Sequence, residues 1–275
     1  MRHYVNDSAA KYRLIAKAKS TTARLDGRED QTSYLKRLKT VDAILSNSDE
    51  VVALRTLSLS HPTTAIDVGC GSGGFFSLIS EKMGGAPARV IGILPSKEEF
   101  LFLSRTDLPP NVELAIGTSE WFGAVPQRVD FVFCNSVLHG SGFSPAKVEA
   151  SLREFRSRLD VGGLLFVGEI PDELEAGQSG GAFHDEVFAW FRLARLRSRD
   201  RFVRRGVKLF RSFFSKDLEV VSRAPGFHSS SLKFVQTLDE AGFELIGIFD
   251  SSNGESVEPR DSHYGLRLDY LARAR

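Results

Sequence analysis

Apolar residues recur along this chain with two periods. Short apolar or β-branched runs, the pattern of buried strands, occupy Thr63–Val68, Arg89–Leu94, Asn111–Ile116, Arg128–Cys134, Leu164–Gly168, Phe243–Phe249 and Tyr264–Leu271. Around them, apolar positions follow helical spacing. Leu35, Leu38, Val41 and Leu45 do so in Thr32–Leu45, and a second helix is predicted over Val51–Leu59. Val148, Leu152, Phe155 and Leu159 mark a helix over Pro145–Leu159, and another spans Leu232–Ala241. Ser48 and Ser96 stand at cap positions, His61-Pro62 ends the second helix, Asp160–Gly163 reads as a turn, and Gly242 stops the last helix. Strands separated by helices pair in parallel with helices on both faces. The last two strands predict an antiparallel hairpin across Asp250–Ser262.

The expected fold is therefore α/β, a doubly wound, mostly parallel seven-stranded sheet ending in an antiparallel hairpin. Residues 1–60 form an N-terminal helical cap and residues 61–175 the core. Residues 176–230 interrupt the alternation as an inserted helical lid, and residues 231–275 complete the sheet. The insertion opens with a flexible joint at Gly177–Gly181; two helices are expected over Phe183–Phe214. Val203, Val207, Phe210 and Phe214 form an apolar stripe there, opposite a face rich in arginine.

The most informative stretch is Ile66-Asp67-Val-Gly69-Cys-Gly71-Ser-Gly73-Gly74, a strand running through a glycine turn into a helix. Glycine admits positive φ and close approach by a ligand. A helix start suits an anion. Gly69-x-Gly71-x-x-Gly74 fits a dinucleotide fingerprint, a weak signal alone. Asp67, two residues before the first glycine, would repel a pyrophosphate and favours a cationic group instead.

Composition narrows the classes. With 42% hydrophobic and 26% charged residues and net charge +1, the chain is globular and carries no overall nucleic-acid signal. No apolar run approaches a membrane span, and the N-terminus lacks a signal-peptide core. Cys70 and Cys134 are far apart among apolar neighbours, which predicts reduced core thiols, no metal site and a cytoplasmic location.

Four stretches together resemble the class I S-adenosylmethionine-dependent methyltransferases, with their Rossmann-like seven-stranded sheet. They are Ile66–Gly73; Val90-Ile-Gly-Ile-Leu94-Pro-Ser96-Lys-Glu; Val129-Asp-Phe-Val-Phe-Cys-Asn135-Ser-Val-Leu-His139; and the helix and glycine turn from Leu152 to Gly163 with the strand after it. Glu240-Ala-Gly242-Phe243-Glu also recurs in that family. The resemblance covers residues 60–175 and 230–275 and implies S-adenosylmethionine as cofactor. It would lay Gly69, Gly71 and Gly73 along the methionine part, with Asp67 near its ammonium. Thr118, Ser119 and Glu120 would flank the adenine, and Asn135 would face the sulfonium and the substrate. Leu94 stands where the family usually has an acid that binds both ribose hydroxyls, so Ser96, Glu98 or Glu99 must reach the ribose, or affinity is lower, or the site holds another cofactor or none. Thr118 likewise replaces a common aspartate.

A hydroxyl acceptor needs its proton removed, which makes His139 the first candidate base and Glu169 the second. His184 and His228 flank the insertion, and Trp121 and Trp190 are expected in the core. The expected activity is methyl transfer, at oxygen, to a small molecule or glycan precursor, with the basic lid suiting an anionic substrate or peripheral lipid contact by residues 183–214, and a homodimer as the candidate assembly. The competing readings are a non-catalytic relative and a nicotinamide-dependent oxidoreductase.

Overall fold

A computed structural model describes residues 2–5, 31–57, 61–85, 88–123, 125, 128–140, 142–172, 219–222, 226–260 and 267–275. In chain order these give β1 (Arg2–Val5), α1 (Gln31–Ser46), α2 (Asp49–Leu57), β2 (Thr64–Val68), α3 (Phe76–Lys82), β3 (Arg89–Leu94), α4 (Lys97–Leu103) and β4 (Val112–Ile116). Then follow β5 (Val129–Asn135), α5 (Pro145–Arg158), β6 (Leu159–Pro171), β7 (Glu219–Ser222), α6 (Ser231–Glu240), β8 (Phe243–Asp250) and β9 (Arg267–Ala274). The predicted insertion helices, the Gly177–Gly181 joint, His184 and Trp190 lie outside the described residues.

Seven strands form one sheet in the order β4-β3-β2-β5-β6-β9-β8. Pairing is parallel from β4 to β6, and β9 runs antiparallel between β6 and β8. This is the expected doubly wound fold with its terminal hairpin. Two elements were not anticipated: β1 and β7 pair in parallel as a separate two-stranded sheet.

Period-two alternation sends each strand's side chains to two cores. Ile66, Val68, Val132 and Cys134 join α5 and α6 through Val148, Leu152, Phe155, Phe234 and Leu238. Ala65, Phe131, Phe133, Phe166 and Leu94 join α1, α2 and α3 through Val41, Leu45, Val51, Phe76 and Ile79. Phe133 stacks on Phe166 with ring centres 5.0 Å apart.

Local chemistry sets the helix ends. Ser96 caps α4, its hydroxyl accepting from the Glu99 amide and donating to the Glu99 carboxylate. Ser144 caps α5 ahead of Pro145. Gly242, at φ 88°, ends α6 as expected. A further tie joins α1 to α3. Burial works against the Lys82 charge, but hydrogen bonds to Asp42 and Glu81 outweigh it and raise its pKa.

Three expectations are corrected. Leu35 is 46% exposed and Trp121 62% exposed, so neither belongs to the core. Trp121 lies in a tight turn closed by paired backbone bonds with Thr118. Asp160–Gly163 does not separate a helix from a strand. It bulges from β6, where Val129 pairs with Leu159 and Phe131 with Leu164.

Cys70 and Cys134 are both free and buried, as expected. Burial, and then the nearby Asp67 charge, push the Cys134 thiol well above its ordinary value. Native protein at pH 8 is expected to resist iodoacetamide at both cysteines and to react at both once unfolded. Labelling of Cys134 in the folded chain contradicts this packing. The unfolded thiol ionises near pH ~8.5 while the buried one stays protonated. Cys134 therefore lowers stability as pH rises above that value, by at most about 1.4 kcal/mol per unit. The urea midpoint measured from pH 7.5 upward checks the sign, since Cys134→Ala should flatten the decline.

Candidate functional site

The chain leaves β2 toward one face of the sheet through α3, and leaves β5 toward the other through α5. The boundary between β2 and β5 is thus the topological switch point, where open α/β sheets bind ligands beyond the carboxyl ends of the strands. Asp67, the glycine turn, Asn135 and His139 all stand at that boundary or follow it.

Gly69, Gly71 and Gly73 adopt φ of 65°, 57° and 77°, a left-handed run that brings the chain sharply from β2 to α3. The amides of Gly69 and Cys70 both donate to the Ile93 carbonyl, at 2.9 and 3.2 Å, which anchors the turn to β3. A Cβ on Gly69 would meet Val137 Cγ2 at 2.6 Å. The turn therefore lies directly against the loop that follows β5. Asp67, 2% exposed, sits in β2 opposite Gly92 of β3 and Phe133 of β5.

Across the boundary, Asn135 ends β5. Its Oδ1 accepts from Arg37 Nε at 3.1 Å and Nη2 at 2.6 Å, and its Nδ2 donates to Ser136 Oγ at 3.1 Å. Ser136 and Glu169 occupy the left-handed region at φ 61° and 64° although neither is glycine. Ser136 Oγ donates to Glu169 Oε2, and Ser136 N to the Gly168 carbonyl at 3.1 Å. Strained backbone of this kind persists only where surroundings enforce it, and it clusters at active sites. Here the enforcing group is Asp269, which accepts from the Glu169 amide at 2.8 Å at an irregularity in the β6–β9 pairing.

His139 follows β5 as expected, but its ring is engaged. Arg267 Nη1 lies 3.3 Å from His139 Nε2. Arginine only donates, so Nε2 is the acceptor in this contact.

The third group of expected residues follows β3 and β4. Leu94 is fully buried among the apolar residues beneath α1–α3. Ser96 and Glu99 bond each other and are each 6% exposed, while Glu98 is exposed. Thr118 is exposed in its turn, Ser119 accepts from Ser151 Oγ at 2.9 Å, and Ser119 Oγ donates to Glu120 Oε2 at 3.0 Å. Tyr34, Arg37, Ser136, Arg267 and Asp269 were not singled out from the sequence. Nothing local marks them, since their partners lie up to 232 residues away.

The left-handed glycine turn at the switch point, beside a buried carboxylate, fits the amino-acid end of S-adenosylmethionine. An ammonium is a natural partner for Asp67, and backbone with no side chain at Gly69 admits close approach. β3 ends at Leu94, with no acid at that position. Of the carboxylates that follow Leu94, Glu98 is exposed and Glu99 serves the α4 cap.

Residues 65–163 match the family model described as "Methyltransferase domain". The fold is also similar to that of several solved structures. A chain of the complex between the Haloferax volcanii Trm112 methyltransferase activator and a candidate methyltransferase aligns over 98% of this chain and 99% of its own, at 13% identity and TM-score 0.58. A candidate O-methyltransferase from Nostoc punctiforme aligns over 98% of this chain and 62% of its own, at 13% identity and TM-score 0.51. A SAM-dependent methyltransferase from Methanosarcina mazei aligns over 78% and 92%, at 15% identity and TM-score 0.50. The methyltransferase domain matched over residues 65–163, the sheet order and the glycine turn at the switch point together support a class I S-adenosylmethionine-dependent methyltransferase with S-adenosylmethionine as its cofactor.

Proposed function

We propose that this chain methylates an oxygen of a small molecule or glycan precursor that carries an anionic group. The observation that supports an oxygen acceptor is Glu169, held at the carboxyl edge in a left-handed backbone by Ser136 and Asp269. A fixed carboxylate beside Asn135 is a suitable general base for a hydroxyl. When bound, S-adenosylmethionine supplies a methyl group already activated by a sulfonium. The protein's own work is positioning and proton removal.

In this reading Asp67 holds the ammonium end, and Gly69, Gly71 and Gly73 give it room. Thr118, Ser119 and Glu120 flank the adenine, with Ser96 and Leu94 bounding the ribose side. Asn135 orients the reacting region with its amide fixed by Arg37. Glu169 takes the acceptor's proton. The structure supports reversing the order of the two candidate bases. His139 has its Nε2 on Arg267, which suits the pair to recognising a carboxylate or phosphate on the substrate.

One observation favours a second reading, a non-catalytic relative. Leu94 is sealed in the core and Ser96 and Glu99 satisfy each other, so the ribose lacks the charged acceptor that contributes on the order of 1.5–3 kcal/mol per hydrogen bond.

Transfer of a labelled methyl group from S-adenosylmethionine to a panel of hydroxylated acids and phosphates separates the two readings. Oxygen-linked product from an anionic acceptor is expected, and the absence of any transfer across the panel supports the non-catalytic reading. With an acceptor in hand, Glu169→Gln should lower kcat by roughly 100-fold or more with little change in cofactor affinity. An unchanged kcat removes Glu169 as base. Gly69→Val places a β-branched side chain at positive φ against Val137. It should weaken S-adenosylmethionine binding at least tenfold by equilibrium dialysis and destabilise the fold by about 1–3 kcal/mol. Full binding by this variant puts the cofactor elsewhere.

A further inference from the structure

One face of α1 touches both loops that border the switch point. Tyr34 Oη donates to the Gly74 carbonyl at 2.6 Å, and its ring packs edge-on to Phe75 with centres 6.2 Å apart. A Cβ built on Gly74 would fall 2.0 Å from Tyr34 Oη, so the tyrosine fills the space a side chain there would need. One turn later Arg37, 4% exposed, donates to Asn135 Oδ1 and forms a bidentate pair with Asp269, at 2.6 and 2.9 Å. Gly168 makes room for this contact, since its Cβ would meet Asn135 Oδ1 at 2.4 Å and Arg37 Nη2 at 2.6 Å. Arg37 also donates to the Ser251 carbonyl at 3.3 Å, and Thr40 and Ile44 lie 3.5 Å from the place of a Cβ on Gly254. Beyond these contacts the helix is anchored by Val41, Ile44 and Leu45 in the apolar core.

We propose that α1 is a clamp across the carboxyl edge of the sheet, and that Tyr34 and Arg37 are positioning residues that fix the glycine turn and the Asn135–Glu169 region relative to each other. Neither need touch a ligand. Tyr34 holds the turn from one side and Arg37 sets the direction of the Asn135 amide. Both project from one rigid helix at positions i and i+3, so displacement of either loop is passed to the other. The effect on cofactor affinity rests on the reading that the cofactor lies between these loops. The mechanical coupling does not.

The test uses the full chain and three variants, Tyr34→Phe, Arg37→Lys and Arg37→Met. The first readout is amide hydrogen exchange without ligand. Tyr34→Phe removes one hydrogen bond and keeps the ring, so its thermal midpoint should stay within about 4 °C of the wild type. Exchange should nevertheless accelerate at Ser136–Leu138 as well as at Cys70–Gly74. Acceleration confined to the glycine turn overturns the clamp. Arg37→Met strands Asp269, and if it does not fold, Arg37→Lys carries the same test from the other side, because lysine keeps the charge and loses the fork. The second readout is calorimetric affinity for S-adenosylhomocysteine. A loss of roughly three- to tenfold is expected for Tyr34→Phe, and a smaller loss for Arg37→Lys than for Arg37→Met. Unchanged affinity in folded variants whose exchange has accelerated at both loops overturns the placement of the cofactor between them and leaves the clamp standing on exchange. A wild-type chain that does not bind S-adenosylhomocysteine overturns the cofactor reading instead, and the clamp is then judged on exchange alone.

Discussion

A guanidinium and a carboxylate buried together are stable only when their donors and acceptors are met, and the Arg37–Asp269 pair imposes that demand on the whole carboxyl edge. The two side chains are 3% and 0% exposed. Arg37 distributes its donors to Asp269, Asn135 and the Ser251 carbonyl, and its guanidinium lies 5.9 Å from the Phe166 ring centre. Asp269 in turn accepts from Ser251 Oγ at 2.6 Å and from the Glu169 amide. One ion pair thus joins α1, the ends of β5 and β6, the β8–β9 connection and β9. Removing one partner of such a pair costs about 3–5 kcal/mol, because the other is left charged and buried. The left-handed Ser136 and Glu169 belong to the same network, which supplies the constraint that holds them there.

The site is built on this edge by subtraction as well as by contact. Gly69 and Gly74 leave space that Val137 and Tyr34 fill, and Gly168 leaves space for Arg37. The glycine turn is therefore packed against its surroundings on several sides, while Gly69 itself stays exposed. At the amino-acid end this arrangement suits a cationic ligand beside Asp67. The end of β3 is different in kind, with Leu94 in the apolar core and the Ser96–Glu99 cap closed on itself.

Much of this architecture was legible in the sequence because it is written locally. The period-two runs gave all seven strands of the main sheet, and Ser96, Ser144-Pro145 and Gly242 mark helix ends by their own backbone chemistry. The positions of Asp67, Asn135 and Glu169 at one sheet edge follow from strand order alone. The parallel β1–β7 pair was not legible, since it joins segments more than 200 residues apart in short strands with no turn between them. Arg37 looked like one more polar position on an amphipathic helix, and Asp269 like an interruption in a strand. Their meaning depends on contacts that no spacing rule encodes. The position of His139 just after β5 was legible, but the guanidinium on its Nε2 was not.

The central claim is that the boundary between β2 and β5 holds S-adenosylmethionine despite Leu94. Calorimetric titration of the full chain with S-adenosylmethionine, S-adenosylhomocysteine and NAD⁺, side by side, tests it most directly. Micromolar binding of the first two, with none of the third, is the result this account predicts. Binding of NAD⁺ alone, or of none of the three, would contradict it.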